Sequence, residues 1–521
     1  PWSGTSERRG LSDPGSWFNR GSNTTALFRS NKLITSIMSL LILSLIISSC
    51  TEKKEAENAS PPNIILIVAD DLGYGDISAA NLANDVNTPN IDRIAESGIR
   101  FAQTYDNSPI CNQSRIGIIT GCYPQRLGSY WYSAKGLHDP KFKTIPELLK
   151  EQNYQSGYVG KTHYGEYDSD TTNRSFPLNH GFDYYFGHTS ARKHYMNHKQ
   201  EIEETFLISK KENNRKGQTL RQGPLWENKN KVDTIAYFTQ LVGEKSRNFI
   251  QQNKDKNFFL QIAFNAAHNF THQLPQEYLD KYNLKGYHDW NPAVEEYYDW
   301  YAKGRYPNNE EGRAHYLGQV HYMDEEIGKL LDLLEEQGLR ENTLIFFISD
   351  NGGSTPIYAN NTPLRGSKYL LYEGGIRVQM LVSYPKKYEK GKVYQNMVSA
   401  MDILPSICKE ANVKIPDYID GMDLTPLLKG VNDSLKHDVL VWDTGHELAV
   451  RKGPWKLRKS FNDSEAKYEM VELELGNFIT NLNTDIGEKI NLIKKESVIL
   501  GDLEKEYSVW KSKLEKGDNK K

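Results

Sequence analysis

The residues whose types and spacing best suit chemistry stand in Ser108-Pro-Ile-Cys111-Asn-Gln-Ser-Arg115, followed by Ile-Gly-Ile-Ile-Thr-Gly-Cys-Tyr-Pro-Gln-Arg-Leu-Gly. Cys111 and Arg115 are four positions apart, with apolar Ile116, Ile118 and Ile119 behind them, so on a helix the thiol and the guanidinium share one face. An anion near Cys111 then meets a planar donor fork and a helix N-terminus together. Taken alone, a cysteine in this setting is equally a small buried hydrophobe. A second group is acidic: Asp70-Asp71, and far downstream Asp350-Asn351. These side chains offer only oxygen ligands, a set suited to calcium or magnesium and poorly suited to zinc. Either pair by itself is a common turn or helix cap. Both pairs follow apolar strands, which favours the metal reading.

The elements that must position these groups are legible from pattern. Asn63-Ile-Ile-Leu-Ile-Val-Ala69 is a nearly continuous apolar, β-branched run, expected as a buried parallel strand with acids at its carboxyl end. Ile345-Phe-Phe-Ile-Ser349, ending in Asp350-Asn351-Gly352-Gly353, repeats the arrangement, so two strands deliver oxygen ligands to one sheet edge, where open α/β sheets bind ligands. Asn257 to Phe264 is a further strand running into Asn265-Ala-Ala-His268. Helical period appears over Thr144 to Glu151, Ile235 to Gln252 and His321 to Gln337, the last placing Ile327, Leu330, Leu331 and Leu334 on one face. Alternating strands and helices predict an α/β fold, a large mostly parallel sheet sandwiched by helices. The Tyr-, Trp-, Asp- and Asn-rich stretch from Asp280 to Glu310 reads as surface loop. Short strands over Asp438 to Trp442, Glu447 to Val450 and Trp455 to Leu457, then a charged helical tail over Ile486 to Lys516, predict a smaller antiparallel sheet with a helix. The expected division is 1–62 leader, signal and linker, 63–405 catalytic domain, and 406–521 C-terminal subdomain.

The formal charge of −3 gives no support to nucleic-acid binding. Arg29 and Lys32 precede a mainly apolar run from Leu33 to Ile47 that ends in Ser48-Ser49-Cys50, the order of a secretory signal. The run is shorter than the ~20 residues of a membrane-crossing helix, which is the alternative reading. A cysteine directly after two small residues resembles the bacterial lipobox, implying an exported periplasmic or cell-surface lipoprotein anchored at Cys50. Residues 51–62 form a charged tether, and residues 1–30, rich in Gly, Ser, Arg and Trp, read as a leader outside the folded part. Cys111, Cys122 and Cys408 are too few for a disulfide framework; a Cys111–Cys122 pair is the alternative to a free, reactive Cys111.

Cys111-Asn-Gln-Ser-Arg115, Thr120-Gly-Cys-Tyr-Pro124, Gly160-Lys161-Thr-His163, Ala267-His268, Ser349-Asp-Asn-Gly352, and Pro363-Leu-Arg-Gly-Ser-Lys368 leading to Glu373-Gly-Gly-Ile-Arg377 occur in one order along the chain. In this set and order the sequence resembles the type I sulfatases of the alkaline phosphatase superfamily. The resemblance implies that a maturation enzyme oxidises Cys111 to formylglycine, whose hydrate is the nucleophile beside a calcium ion, magnesium being the lesser choice. It implies that Asp70, Asp71, Asp350 and Asn351 hold that ion together with residue 111. Arg115 orients the hydrate, and Lys161, His163, His268 and Lys368 surround the sulfate. In the implied reaction His268 or Lys368 protonates the departing alcohol and His163 accepts the proton that frees sulfate. His272 is either a substrate contact or a helix-surface residue, and Arg377 is a further candidate substrate contact.

The chain departs from the usual family pattern at Gln113, where proline or alanine is common, and at Cys122, Thr162, Tyr164 and Gln379. Export and the aromatic stretches at Tyr184-Tyr185, Tyr195 and Tyr287 to Tyr306 suggest a sulfated oligo- or polysaccharide as substrate. Two other readings stay open: a phosphodiesterase or phosphonate monoester hydrolase on the same scaffold, and a non-catalytic sulfated-glycan-binding protein in which Cys111 is not converted.

Overall fold

In the computed structural model, which describes residues 61–132, 135–165, 170–189, 225–232, 234, 236–291, 294–468 and 471–517, the apolar run Asn63–Ala69 forms strand β1, buried at every position. Its neighbours on both sides are parallel: Phe258–Ala263 (β7) pairs Ile64 with Phe259, and Thr343–Ser349 (β8) pairs Ala69 with Ser349. The continuous apolar character of β1 follows from this central place. Ile64, Leu66 and Val68 pack into one core layer, and Ile65, Ile67 and Ala69 into the layer on the opposite face.

The remaining strands of this sheet are Ile99–Tyr105 (β2), Gln155–Lys161 (β3), Tyr184–His188 (β4), Leu225–Glu227 (β5), Asn230–Val232 (β6), Arg377–Ser383 (β9), Lys392–Tyr394 (β10) and Val398–Ser399 (β11). Their order is β10-β2-β9-β8-β1-β7-β3-β4-β5-β6, with β11 also on β2. The sheet is parallel at its centre and mixed towards its edges, because β9 runs antiparallel to both β8 and β2.

Helices cover both faces. Cys111–Thr120 (α1) and Ile403–Glu410 (α4) contribute Ile116, Ile118, Ile119, Ile403, Leu404 and Ile407 to the first layer. Phe238–Asn253 (α2) and Gly312–Glu336 (α3) contribute Val242, Phe249, Ile250, Ile327, Leu330 and Leu334 to the second. The α3 helix begins well before the expected His321, since its first turns carry buried Tyr316 and Val320 beside Gly312 and Gly318, which blur the apolar period.

A second, antiparallel sheet is built from Val439–Asp443 (β12), Glu447–Lys452 (β13), Trp455–Ser460 (β14) and Gly476–Asn481 (β15), with Ser497–Gly517 (α5) packing Leu503 and Trp510 onto it. The terminal helix therefore starts later than Ile486, and β15 was not expected; its first residues, from Gly476, are exposed and lack alternation.

The stretch from Asp280 to Glu310 is not merely surface loop. Gln276–Tyr282 and Tyr297–Lys303 are short helices, and Trp290, Tyr297 and Trp300 are buried with Phe270 in a satellite aromatic core. Bulky rings supply that burial without needing a sustained 3.6-residue period. Tyr185 is likewise fully buried in β4 and offers no surface to a sugar. The signal, the lipobox cysteine and Tyr195 lie outside the described residues. Cys111, Cys122 and Cys408 are free, so no Cys111–Cys122 bridge forms. Among the described residues no helix is long and apolar enough to cross a membrane.

Candidate active site

The parallel pairing of β1 with β8 sets Asp70-Asp71 and Asp350-Asn351 side by side beyond the carboxyl ends of two central strands. Backbone bonds stitch the adjoining loops: Asp350 N donates to Ala69 O (3.0 Å), Asp70 N to Ala266 O (2.9 Å) and Ala267 N to Asp70 O (2.7 Å). The last of these draws in His268. Gly352 N donates to Gly375 O, and a Cβ at Gly352 would fall 1.9 Å from Gly374 O. The Gly352 and Gly374-Gly375 motifs thus mark one close backbone crossing, which brings the Lys368 segment alongside Asn351.

Cys111 is the first residue of α1 and fully buried, its Sγ 3.5 Å from Asp70 Oδ1 and 4.0 Å from Asp71 Oδ1. Ligand atoms of Asp70, Asp71, Cys111 and Asp350 all lie within 4.8 Å of one another, and those of Asp70, Cys111 and His268 form an overlapping group. One turn along α1, Arg115 reaches Asp350 Oδ2 through Nε (2.8 Å) and NH2 (2.7 Å), approaches Asp70 at 3.6 Å, and donates through NH1 to Lys161 O (2.7 Å). Lys161 ends β3 and is paired with Asp70, while Lys368 Nζ sits 2.8 Å from both oxygens of Asp71. His268 Nε2 is 3.7 Å from Asp71 Oδ2.

Asp71 and His163 both hold left-handed backbone, at φ 59° and 50°, an arrangement that side-chain-bearing residues adopt at some expense and that often marks a functional site. Three buried carboxylates therefore face three buried cations, and the electrostatics follow from that crowding. Burial works against ionisation of Asp70, but Lys161, Arg115 and Lys368 outweigh it and hold the carboxyl at about 2. Burial, reinforced by Asp70 and Asp350, lifts Asp71 to about 6 despite Lys368. Asp350 is raised by burial and by Asp70. Burial and the two carboxylates push the Cys111 thiol up, so the unmodified side chain is a neutral thiol. Burial and the neighbouring Lys161 and Arg115 keep His163 well below its ordinary value, hence neutral.

A hard divalent cation fits this constellation. It would offset the burial and the carboxylate repulsion that lift Asp71, and Asn351 Oδ1 is buried without a hydrogen-bond partner while its Nδ2 donates to Asp71 Oδ1 at 2.7 Å. Asp70, Asp71, Asp350 and Asn351, with residue 111, are the groups that would hold it.

The other sequence candidates stand apart. His272 is buried in a loop rather than on a helix; its Nε2 meets Asp289 Oδ1 at 2.8 Å, and its ring packs edge-on against Tyr287 and Trp300. Arg377, at the start of β9, donates to Ala102 O (2.9 Å) and lies 3.6 Å from Glu373. Sequence reasoning missed the residues that brace the site. Tyr158 OH donates to the same Lys161 carbonyl that Arg115 holds, at 2.7 Å. The second sheet clamps the Lys368 segment: Lys456 Nζ bridges Glu373 (2.9 Å) and Glu488 (3.1 Å), and Glu447 accepts from Leu371 N (3.0 Å) and Arg458 (3.1 Å). No local pattern marks such partners, which lie far apart along the chain.

A helix-start cysteine set against strand-end acids, on this sheet order, defines an alkaline phosphatase-like, metal-assisted ester hydrolase. Residues 62–413 match the sulfatase family, and residues 367–485 match the C-terminal region described as N-sulphoglucosamine sulphohydrolase, C-terminal. The chain belongs to the sulfatase family, as a type I, formylglycine-dependent sulfatase. It is 29% identical over 416 residues to mouse N-acetylgalactosamine-6-sulfatase, covering 76% of this chain and 71% of that one. It is 25% identical over 545 residues to the N-acetylgalactosamine-6-O-sulfatase of Bacteroides thetaiotaomicron, covering 91% and 98%. The crystal structure of Ps i-CgsB in complex with k-i-k-neocarrahexaose aligns at a TM-score of 0.70 and 30% identity, covering 87% and 93%.

Proposed function

We propose that this sulfatase releases inorganic sulfate from a sulfated oligo- or polysaccharide, using formylglycine derived from Cys111 and a calcium ion. The observation that carries the reading is the placement of Cys111 Sγ against Asp70 and Asp71, one turn before the Arg115 fork, with the buried Lys161 and Lys368 paired to those two carboxylates. When present, the formylglycine hydrate supplies a geminal-diol nucleophile, and the divalent cation lowers its pKa and offsets sulfate charge. Arg115 fixes the reacting side chain at position 111 against Asp350. Lys161, at the end of β3, and Lys368, paired with Asp71, place positive charge around a bound sulfate and stabilise the charge that shifts towards the bridging oxygen. His268, close to Asp71, or Lys368 donates the proton to the leaving alcohol. Neutral His163 is suited to accept the proton whose loss frees sulfate.

The glycan substrate is supported by the similarity to Ps i-CgsB, solved with a neocarrahexaose. In the same reading a formylglycine-generating enzyme acts on Cys111 during export, a lipid at Cys50 anchors the chain at the periplasmic or cell surface, and residues 406–521 brace a catalytic domain spanning 63–405. Peptide mass spectrometry across Cys111 on protein made in its native host tests the proposal, combined with sulfate release from oligosaccharides before and after chelation. Formylglycine at 111 with chelator-sensitive release is expected. Unmodified cysteine throughout, with glycan binding but no release, would refute it in favour of a non-catalytic binder.

A further inference from the structure

Gln113 departs from the usual activation motif, and its side chain is fully buried. Its Nε2 donates to the carbonyl of Trp131, and the preceding Asn112 Nδ2 reaches the carbonyl of Tyr132 at 3.5 Å. Two consecutive side chains in the first turn of α1 thus hold two consecutive carbonyls of one loop. That loop is thereby fixed to the turn that carries Cys111. Proline or alanine at 113 has no donor to make the first bond.

The pinned residues form a half-buried aromatic wall. The Tyr132 ring lies 6.3 Å from His163 at an interplanar angle of 20°, and 6.4 Å from Tyr369. His163 lies two residues after Lys161, and Tyr369 directly follows Lys368, whose ammonium is 5.3 Å from the Tyr369 ring. Tyr132 therefore touches the segments that carry both Lys161 and Lys368, the two cations assigned to the sulfate in the reading above. Behind it, Trp131 packs 4.3 Å edge-on against His446, from the turn between β12 and β13. An aromatic wall beside an anion pocket matches a pyranose bearing a sulfate ester: the C–H face of the sugar lies against the ring and the phenol meets its hydroxyl edge.

We infer that Trp131 and Tyr132, positioned by Gln113 and Asn112, form the subsite for the sugar ring that carries the scissile sulfate. This rests on the glycan reading above. The test uses the calcium-loaded full chain carrying Cys111→Ala, which cannot turn over, so that changes near the maturation motif do not confound it. Calorimetry gives Kd for k-i-k-neocarrahexaose, D-glucosamine-2-N,6-O-disulfate and inorganic sulfate, the last probing the anion pocket alone. For whichever saccharide binds, Tyr132→Ala is expected to raise the ratio of saccharide Kd to sulfate Kd at least about fivefold. Tyr132→Phe should restore most of the ratio, and Gln113→Met should raise it in the same direction through loss of the tether. Saccharide binding that Tyr132→Ala and Trp131→Ala leave unchanged, or weaken only in step with sulfate, overturns the subsite and leaves the glycan reading standing. A parent protein that binds sulfate but neither saccharide overturns both.

Discussion

Replacing Arg115 by methionine keeps an unbranched, flexible apolar stem and removes the one cation shared by Asp350, Asp70 and the Lys161 carbonyl. Arg115 and Asp350 are 1% and 0% exposed and meet at 2.7 and 2.8 Å, so the substitution strands a buried carboxylate. Breaking such a pair from one side costs about 3–5 kcal/mol, and the lost bond to Lys161 O adds roughly 1 kcal/mol. Asp350→Asn in the Arg115→Met background removes the stranded charge but does not restore the second donor to the Lys161 carbonyl, which keeps Tyr158 OH, and should recover about 2 kcal/mol. The coupling energy of the double-mutant cycle is therefore expected to be at least about 2 kcal/mol. Urea unfolding at pH 7 followed by tryptophan fluorescence measures it, with chelator present so that a divalent cation does not take over the role of the guanidinium. Losses that simply add, to within about 0.5 kcal/mol, would refute the argument that Arg115 is the structural counter-ion of the acidic cluster.

Two further outcomes follow from groups outside the cluster. His180 is fully buried between Tyr164 and Phe182, its Nδ1 2.7 Å from Arg174 O, and burial holds its pKa at about 4. Because the folded value lies below the unfolded ~6.5, the native state keeps its full advantage above pH 6.5 and loses it as pH falls through 4, about 3 kcal/mol in all; His180→Leu should flatten the stability profile by that amount in this window, as read from unfolding at pH 7 and pH 4. Glu447→Ala leaves Arg458 with hydrogen bonds to Tyr372 OH and Glu474 O but no carboxylate, and frees Leu371 N, three residues beyond Lys368, so about 3–5 kcal/mol of stability is expected to go, with kcat falling more than KM changes because Lys368 loses its brace; recovery of stability by adding Arg458→Met, read from urea midpoints, separates a stranded charge from general misfolding.

Much of the site was written in local sequence. β1 and β8 announce themselves because strands covered on both faces need unbroken apolar runs, and the acids that end them are placed by that fact alone. The four-residue interval from Cys111 to Arg115 fixes a shared helical face wherever the helix sits, and α1 begins at Cys111. The motif order further named the family without any knowledge of where the loops go.

Other features depend on neighbours distant in the chain. Burial of Trp290, Tyr297 and Trp300 came from a satellite core with no periodic signature, and Tyr185 was buried in the core layer on its face of the sheet, its ring 5.3 Å from that of Phe176, rather than offered to a sugar. The motif offered Arg377 as a candidate substrate contact, and only folding put its guanidinium against Ala102 O and near Glu373. Gln113 read as a blemish in the motif, and only folding put its amide against the Trp131 carbonyl. Residue type and spacing determined which groups are able to act on a sulfate ester, because helix and strand periods are local. Which of them share one charge-balanced cluster, and which brace it, was decided by the strand order that brings β1, β8, β3 and the second sheet together, since ion pairs and desolvation exist only between groups that packing has already made neighbours.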